Sequence, residues 1–295
     1  KSGTYELLVV NTQNGCTATA SVAIGADFSA PTAVVAPGGV LSCTIHSLTL
    51  DGTGSSTANC IYQWNSVQGN ILNGDTTLQP EINAVGTYVL RVTNTLNGCT
   101  ATSSTDVTAD ASLPVAAAGP PDTLTCIIKT LTINASASSQ GNNFSYLWSG
   151  PGILNGHTTL TPTLQQPGAY ELKVTNTTNG CTAISVVNIA QDIALPTAEA
   201  GPPNELNCTI LTLDLDGSTS STGSLFAYAW TTSTGHFVLG EHTPTPTVDK
   251  PGIYQLLVSN TYNGCTATDA VTITQDIVLP QAEAGPSITL TCSNP

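Results

Sequence analysis

The chain contains no methionine, only 5 Lys and Arg among 295 residues, and charged side chains at just 8% of positions. A helical protein draws more heavily on Glu and Lys. What crowds the sequence instead is Thr, Ser, Asn and Gly, which short strands joined by tight turns require. The shortage of basic residues leaves 19 acidic ones unbalanced, a formal charge of −14. Such a field repels phosphate backbones and anionic lipid, so nucleic acid is not expected as a partner. No window approaches 18 uninterrupted apolar residues, so neither a signal peptide nor membrane insertion is expected in this segment. Any export signal and anchor should lie outside it. A Ser/His/Asp set, a phosphate-cradling glycine loop and a Cys-x-x-Cys site are all missing, which argues against an enzyme.

What is present is a repeat. The phrase Asn-Gly-Cys-Thr-Ala recurs with its cysteine at Cys16, Cys99, Cys181 and Cys265, at spacings of 83, 82 and 84 residues. Cys43, Cys126, Cys208 and Cys292 keep the same spacings, each 27 residues after its partner series. Trp64, Trp148 and Trp230 march in step, as do Tyr5, Tyr88, Tyr170 and Tyr254. The period is one small domain of about 83 residues. An acidic residue followed by an apolar-Pro step marks each boundary: Asp27 to Pro31, Asp110 to Pro114, Asp192 to Pro196 and Asp276 to Pro280. The expected organisation is a partial repeat at 1–27 holding the last two strands, full repeats at 28–110, 111–192 and 193–276, and a partial repeat at 277–295 holding a first strand. The two fragments together lack a Trp, so the chain reads as a window on something longer. Short Pro-stiffened linkers should stack the repeats into an elongated rod.

Within a repeat, strand and turn signals alternate. Ser47-Leu48-Thr49-Leu50 reads as a second strand and Ile61-Tyr62-Gln63-Trp64 as a third, with Trp64 facing the core. Tyr88, Leu90 and Val92 alternate up to Asn97-Gly98, which reads as a two-residue hairpin turn, with the final strand from Thr100. Seven short strands, a core Trp on the third and a structural Tyr on the sixth give an all-β fold of tandem Ig-like sandwiches. Trp64, Trp148, Trp230, Tyr88, Tyr170 and Tyr254 are the expected core anchors.

The runs Ala117-Ala118-Gly119-Pro120-Pro121, Asp216-Gly217-Ser218, Gly252-Ile253-Tyr254-Gln255-Leu256 and Asn263-Gly264-Cys265-Thr266-Ala267-Thr268 resemble PKD-like repeats. The resemblance covers every full repeat and both fragments. Repeats of this form look like those of very large surface proteins of gliding bacteria, a resemblance that implies export by the type IX route and roles in adhesion, filaments or motility at the cell surface. The family's Trp-Asp-Phe-Gly-Asp-Gly segment is not kept here: Asn-Ser, Ser-Gly or Thr-Thr follows each Trp.

Eight periodic cysteines in a secreted-looking chain point to disulfides. Pairing within a repeat would join Cys43 to Cys99, Cys126 to Cys181 and Cys208 to Cys265. In an Ig-like topology those positions lie at opposite ends of the sandwich, farther apart than bridged Cα atoms allow. Stacking the repeats brings the corner after one first strand against the last hairpin of the next repeat, which favours Cys43 with Cys181 and Cys126 with Cys265. Cys16, Cys208 and Cys292 would then pair outside the window. Pairing between neighbouring filament subunits is a third possibility. Cys60 stands where Phe144 and Phe226 stand in the other repeats, and reads as a free thiol filling a core site.

Other candidates have plainer readings beside them. Asp27, Asp110, Asp192 and Asp276 recur at the joints and could hold calcium, or simply form exposed turns. His157 and His242 occupy similar places, matched by Asp75, as in a variable loop. Thr76 and Thr123 follow Asp as in the O-glycosylation sites of such surface bacteria, and Asn134, Asn143, Asn176 and Asn207 begin sequons. Lys173 aligns with Arg91 and Leu257, so an isopeptide crosslink is not a device of every repeat. The preferred reading is the structural shaft of an extracellular filament or adhesin, with adhesion to surface glycans or substrata at a tip elsewhere. The alternatives are a carbohydrate-binding array and a spacer attached to a polysaccharide-degrading enzyme. Tyr62, Phe237 and Tyr262 are the scattered aromatics that could form a glycan platform.

Overall fold

The computed structural model describes residues 1–289, and these are all-β. The chain opens on a single antiparallel hairpin, β1 (Gly3–Val10) with β2 (Thr17–Ile24). Seven strands follow: β3 (Val40–Ser42), β4 (Leu48–Thr49), β5 (Cys60–Val67), β6 (Ile71–Asn73), β7 (Glu81–Ile82), β8 (Gly86–Asn94) and β9 (Thr100–Asp110). The second set of seven is β10 (Asp122–Thr125), β11 (Leu131–Thr132), β12 (Phe144–Ser149), β13 (Ile153–Asn155), β14 (Thr163–Leu164), β15 (Gly168–Asn176) and β16 (Thr182–Asp192). The third is β17 (Asn204–Asn207), β18 (Leu213–Asp214), β19 (Phe226–Thr232), β20 (Phe237–Leu239), β21 (Thr247–Val248), β22 (Gly252–Asn260) and β23 (Thr266–Asp276).

In the first and third repeats a four-stranded sheet, ordered β3-β9-β8-β5 or β17-β23-β22-β19, faces a three-stranded one, β4-β7-β6 or β18-β21-β20. First and last strands run parallel, with Ser42 beside Asp110 and Asn207 beside Asp276. The second repeat shows the same parallel pair, Thr125 beside Asp192, and the same three-strand ladder β11-β14-β13. The second to seventh strands keep the Ig-like division between two sheets, and the first strand lies beside the seventh instead of the second. The chain divides into two compact units, Lys1–Ala117 with Ser136–Leu147 and Leu172–Ser185, and the remainder. The division falls between Ala117 and Ala118 and then within the second sandwich, and the residues of each joint described below lie inside one unit.

Strand alternation builds the cores. Tyr88, Leu90 and Val92 on β8 are fully buried and pack with Trp64, Ile82, Leu50 and Val107. Tyr254, Leu256 and Val258 do the same with Trp230 and Val248. Trp148, Tyr170, Leu172 and Val174 are equally buried in the second repeat. Each Trp indole donates to a backbone carbonyl, Thr77, Thr159 or Thr243, at 2.9–3.0 Å, so the ring is buried with its N–H satisfied. Each Tyr hydroxyl donates four residues back, to Ala84, Gln166 or Lys250. Tyr5 donates likewise to Lys1. This is the tyrosine corner of sandwich folds.

Two details differ from the sequence reading. The Asn97-Gly98 step is not a two-residue turn: β8 ends at Asn94 and β9 begins at Thr100, leaving a five-residue loop. The loop is closed by Gly98 N–H to Asn94 O and by Asn94 N–H to Cys99 O, with Gly98 at φ +74°. Tyr62 is also not a scattered surface ring. Its hydroxyl donates to Ser56 O, and Tyr146 and Tyr228 donate in the same way to Ser139 and Ser221.

Candidate functional site: the joint between repeats

Each joint is assembled from three local pieces. The first is the corner after a first strand. Ser42 N–H donates to Ile45 O, Thr125 N–H to Ile128 O and Asn207 N–H to Ile210 O, a turn in which Cys43, Cys126 or Cys208 is the first residue outside the strand. Side chains tighten it: Ser42 Oγ accepts from Ile45 N, Thr125 Oγ1 from Ile128 N and Asn207 Oδ1 from Ile210 N. The corner keeps this geometry at Cys208, which is a free and exposed thiol, so the turn does not depend on a disulfide.

The second piece is the linker carboxylate. Asp27, Asp110, Asp192 and Asp276 each accept the N–H two residues on, from Ser29, Ser112, Ala194 and Val278. The third is the Asn-Gly-Cys hairpin, whose Asn uses both ends of its amide. Oδ1 of Asn97, Asn179 and Asn263 accepts the N–H of Cys99, Cys181 and Cys265 at 2.9 Å, which fixes the hairpin. Nδ2 of Asn179 then donates to Asp110 Oδ1 at 2.9 Å and Ser112 O at 3.0 Å. Asn263 Nδ2 repeats this with Asp192 Oδ1 and Ala194 O at the same distances. Asn97 Nδ2 donates to Ser29 O. Asn179 and Asn263 are 2% and 0% exposed, so the amide is buried with its bonds made, while its acceptors at Asp110, Ser112, Asp192 and Ala194 stay half-buried or exposed.

Sulfur bonds close the clasp. Cys43 is joined to Cys181 and Cys126 to Cys265, with Cα atoms 5.0 and 5.1 Å apart. Cys126 N–H donates to Asn263 O at 3.1 Å beside the second bond. The hairpin glycines fit only because they lack a side chain. A Cβ on Gly180 would lie 2.3 Å from Thr44 Cγ2, and one on Gly264 would lie 2.6 Å from Ile127 Cγ2. Pairing within a repeat does not occur at either site. Cys43 follows Ser42, which lies beside Asp110 at the far end of β9, while Cys99 precedes its first residue. An 11-residue strand separates them by roughly 36 Å.

The linker carboxylates are engaged by N–H donors. Asp110 is held below the usual carboxylate value of 3.8, first by the Asn179 side chain and then by Ser112. Asp27 is lowered by Ser29 and by Asn97. Among the described residues no three His, Cys, Asp or Glu gather as metal ligands. Calcium takes six to eight oxygens; Oδ1 of Asp110 already accepts two N–H groups and Oδ1 of Asp276 one.

Cys16, Cys99 and Cys60 are free thiols; Cys60 is half-buried against the first core, and Cys292 lies outside the described residues. His157 and His242 are not equivalent. Trp64, Trp148 and Trp230 N–H donate to Asp75, His157 and Glu241 O, so Glu241 and not His242 takes that place. His236 Nδ1 lies 2.8 Å from Asp249 Oδ1, a contact resembling a catalytic pair. The same place in the first repeat is Asn70 bonded to Asn83, both bracketing the tyrosine corner, so the pair is a loop tie. Phe237 packs edge-on against Tyr254 at 5.2 Å and is no platform. Thr76, Asn134 and Asn143 are exposed, Thr123, Asn176 and Asn207 partly so.

No family model matches the chain. It is 30% identical over 217 residues to the human Dyslexia-associated protein KIAA0319, covering 65% of this chain and 20% of that protein. The mouse homolog is 34% identical over 229 residues, covering 68% and 21%. The chain thus spans about a fifth of the length of these curated relatives. Among solved structures, a three-domain I-band fragment of titin aligns at 12% identity and a TM-score of 0.40, covering 83% of this chain and 98% of that one. A PKD domain from KIAA 1837 protein aligns at 22% identity and a TM-score of 0.25, covering 32% and 96%.

Proposed function

We propose that this chain is part of the structural shaft of an extracellular filament or adhesin, in which the joints between sandwiches are locked and the cores serve as spacers. The observation that carries the reading is the clasp. A buried Asn amide and a disulfide join each hairpin to the preceding repeat at Cys43–Cys181 and Cys126–Cys265. Disulfides persist in oxidising compartments, which supports an extracellular location. A locked joint between Pro-stiffened linkers supports an elongated rod, with further repeats of the same chain and neighbouring filament subunits as its partners. The repeat phrases resembling those of gliding-bacterial surface proteins support a bacterial cell surface, with adhesion or motility as the task the shaft serves.

A carbohydrate-binding array finds less support. Tyr62 and Phe237 are tied into their own repeats and Tyr5 holds a tyrosine corner, which leaves Phe28 and Tyr262 as strongly exposed rings on separate elements. The test is small-angle X-ray scattering of the chain with and without a phosphine reductant. Reduction should shorten the mean end-to-end distance through bending while leaving the sandwich cores folded. An unchanged profile would remove the clasp's role, and loss of the cores would place the disulfides in domain stability instead.

A further inference from the structure

The eight periodic cysteines cut the chain into two kinds of segment. From each hairpin cysteine to the next corner cysteine is 27 residues: Cys16 to Cys43, Cys99 to Cys126, Cys181 to Cys208 and Cys265 to Cys292. Each of these contains a linker; in Cys99 to Cys126 it is flanked by β9 and β10, and in Cys181 to Cys208 by β16 and β17. The longer segments, 44–98, 127–180 and 209–264, contain the other five strands of each repeat, with its Trp and Tyr. The two disulfides interleave across this pattern. Cys126 lies between Cys43 and Cys181, and Cys181 lies between Cys126 and Cys265, so closed loops of 138 and 139 residues overlap and neither contains the other.

We infer that this connectivity gives the array a mechanical function: two interleaved covalent threads carry tension past the sandwich cores. A pull arriving through Cys16 to Cys43 crosses to Cys181 and continues to Cys208. One arriving through Cys99 to Cys126 crosses to Cys265 and continues toward Cys292. In a continued array each thread skips the five-strand body of the repeats it passes, so a core that opened would hang as a loop and add no length; in the chain with these two bonds alone, the shortest path returns through segment 127–180.

The threads have little slack. In Cys99 to Cys126, the 11 residues of β9 and 4 of β10 are already extended. The linker carries Pro114, Pro120 and Pro121. A 27-residue segment cannot exceed about 97 Å, whereas an unbridged repeat of about 83 residues would release up to about 300 Å of contour. Cys16, Cys99 and Cys208 are free thiols here, so continuation of the threads through them and through Cys292 rests on the shaft reading. The two bonds formed here are enough for a test.

The experiment pulls the chain by its two ends, one molecule at a time, and reads contour length at full extension. With both bonds the shortest covalent path runs from Lys1 to Cys43, across to Cys181, back to Cys126, across to Cys265 and on to Pro295. That path holds about 130 residues, or ~470 Å at ~3.6 Å per residue. Cys43→Ser or Cys126→Ser alone should each add only about 27 residues, ~100 Å; the double variant should add a further ~138 residues, ~500 Å. Bridges within repeats would instead lengthen the chain by about 55 residues at each removal, ~200 Å every time. Equal additive steps, or an oxidised chain as long as the reduced one, would overturn the inference. Because length is read after full unfolding, a poorly folding variant still reports. Failure of the shaft reading shows separately, as unchanged scattering on reduction beside an intact two-step pattern.

Discussion

At the scale of single residues, the clasp depends on one amide using both ends. Asn263→Ala removes two donated bonds and one accepted bond at a fully buried position, leaving Ala194 O and Cys265 N–H without their partner. A loss of about 1–3 kcal/mol is expected in denaturant unfolding, with Asn179→Ala behaving alike. Asp110 makes the first joint acid-sensitive. Its folded pKa lies below 3.8, so its contribution is complete above the unfolded value and is lost as pH falls through the folded one. Reduction of Cys43–Cys181 by a phosphine should therefore quicken below about pH 4, and Asp110→Asn should flatten that dependence. A rate that stays level in the native chain would separate the carboxylate from the joint. The sequence displays each Asn only as half of an Asn-Gly turn signal. The role of Nδ2 is hidden there, because its acceptors at Asp110 and Ser112 lie 69 and 67 residues away.

At the scale of elements, alternation and turn residues carry most of the information. Tyr88, Leu90 and Val92 show the period of a strand buried on one face, and Trp64 and Tyr88 take the places an Ig-like order assigns them. Tyr62, Tyr146 and Tyr228 stand two positions before each Trp. That periodicity is the signal that marks Tyr62 as structural, and it is lost when Tyr62 is taken alone. The hairpin is longer than its sequence suggests for a physical reason. Asn94 Oδ1 accepts from Leu96 N and Asn97 Oδ1 accepts from Cys99 N, so two side-chain turns stabilise a five-residue loop where the Asn-Gly pair suggests two. The same loop supplies a matched pair of variants. Gly98 and Gly180 have φ of +74° and +73°, but a Cβ on Gly98 meets nothing within 4 Å while one on Gly180 meets Thr44. Gly98→Ala should cost about 1 kcal/mol for the left-handed backbone alone. Gly180→Ala should cost clearly more and slow oxidative formation of Cys43–Cys181. Equal costs in thermal unfolding would mean that the hairpin is not seated against the corner.

At the scale of the whole molecule, periodicity makes the architecture legible and leaves the wiring open. Spacings of 83, 82 and 84 residues reveal the repeat unit, yet eight cysteines at one period allow pairing within repeats, between repeats or between subunits. Resolving that needs the parallel pairing of β3 with β9, which puts Cys43 at the opposite end from Cys99. Closing a loop of 138 residues restricts the unfolded chain by roughly 5 kcal/mol in the chain-entropy model, and overlapping loops need not add. The decisive measurement is peptide mapping of the intact chain under non-reducing conditions, with free thiols blocked beforehand. A clasped array yields covalent pairs of the Cys43 peptide with the Cys181 peptide and of Cys126 with Cys265, with Cys60 alkylated. Recovery of Cys43 with Cys99 and Cys126 with Cys181 would contradict the clasp, leaving self-contained sandwiches on an ordinary jointed chain.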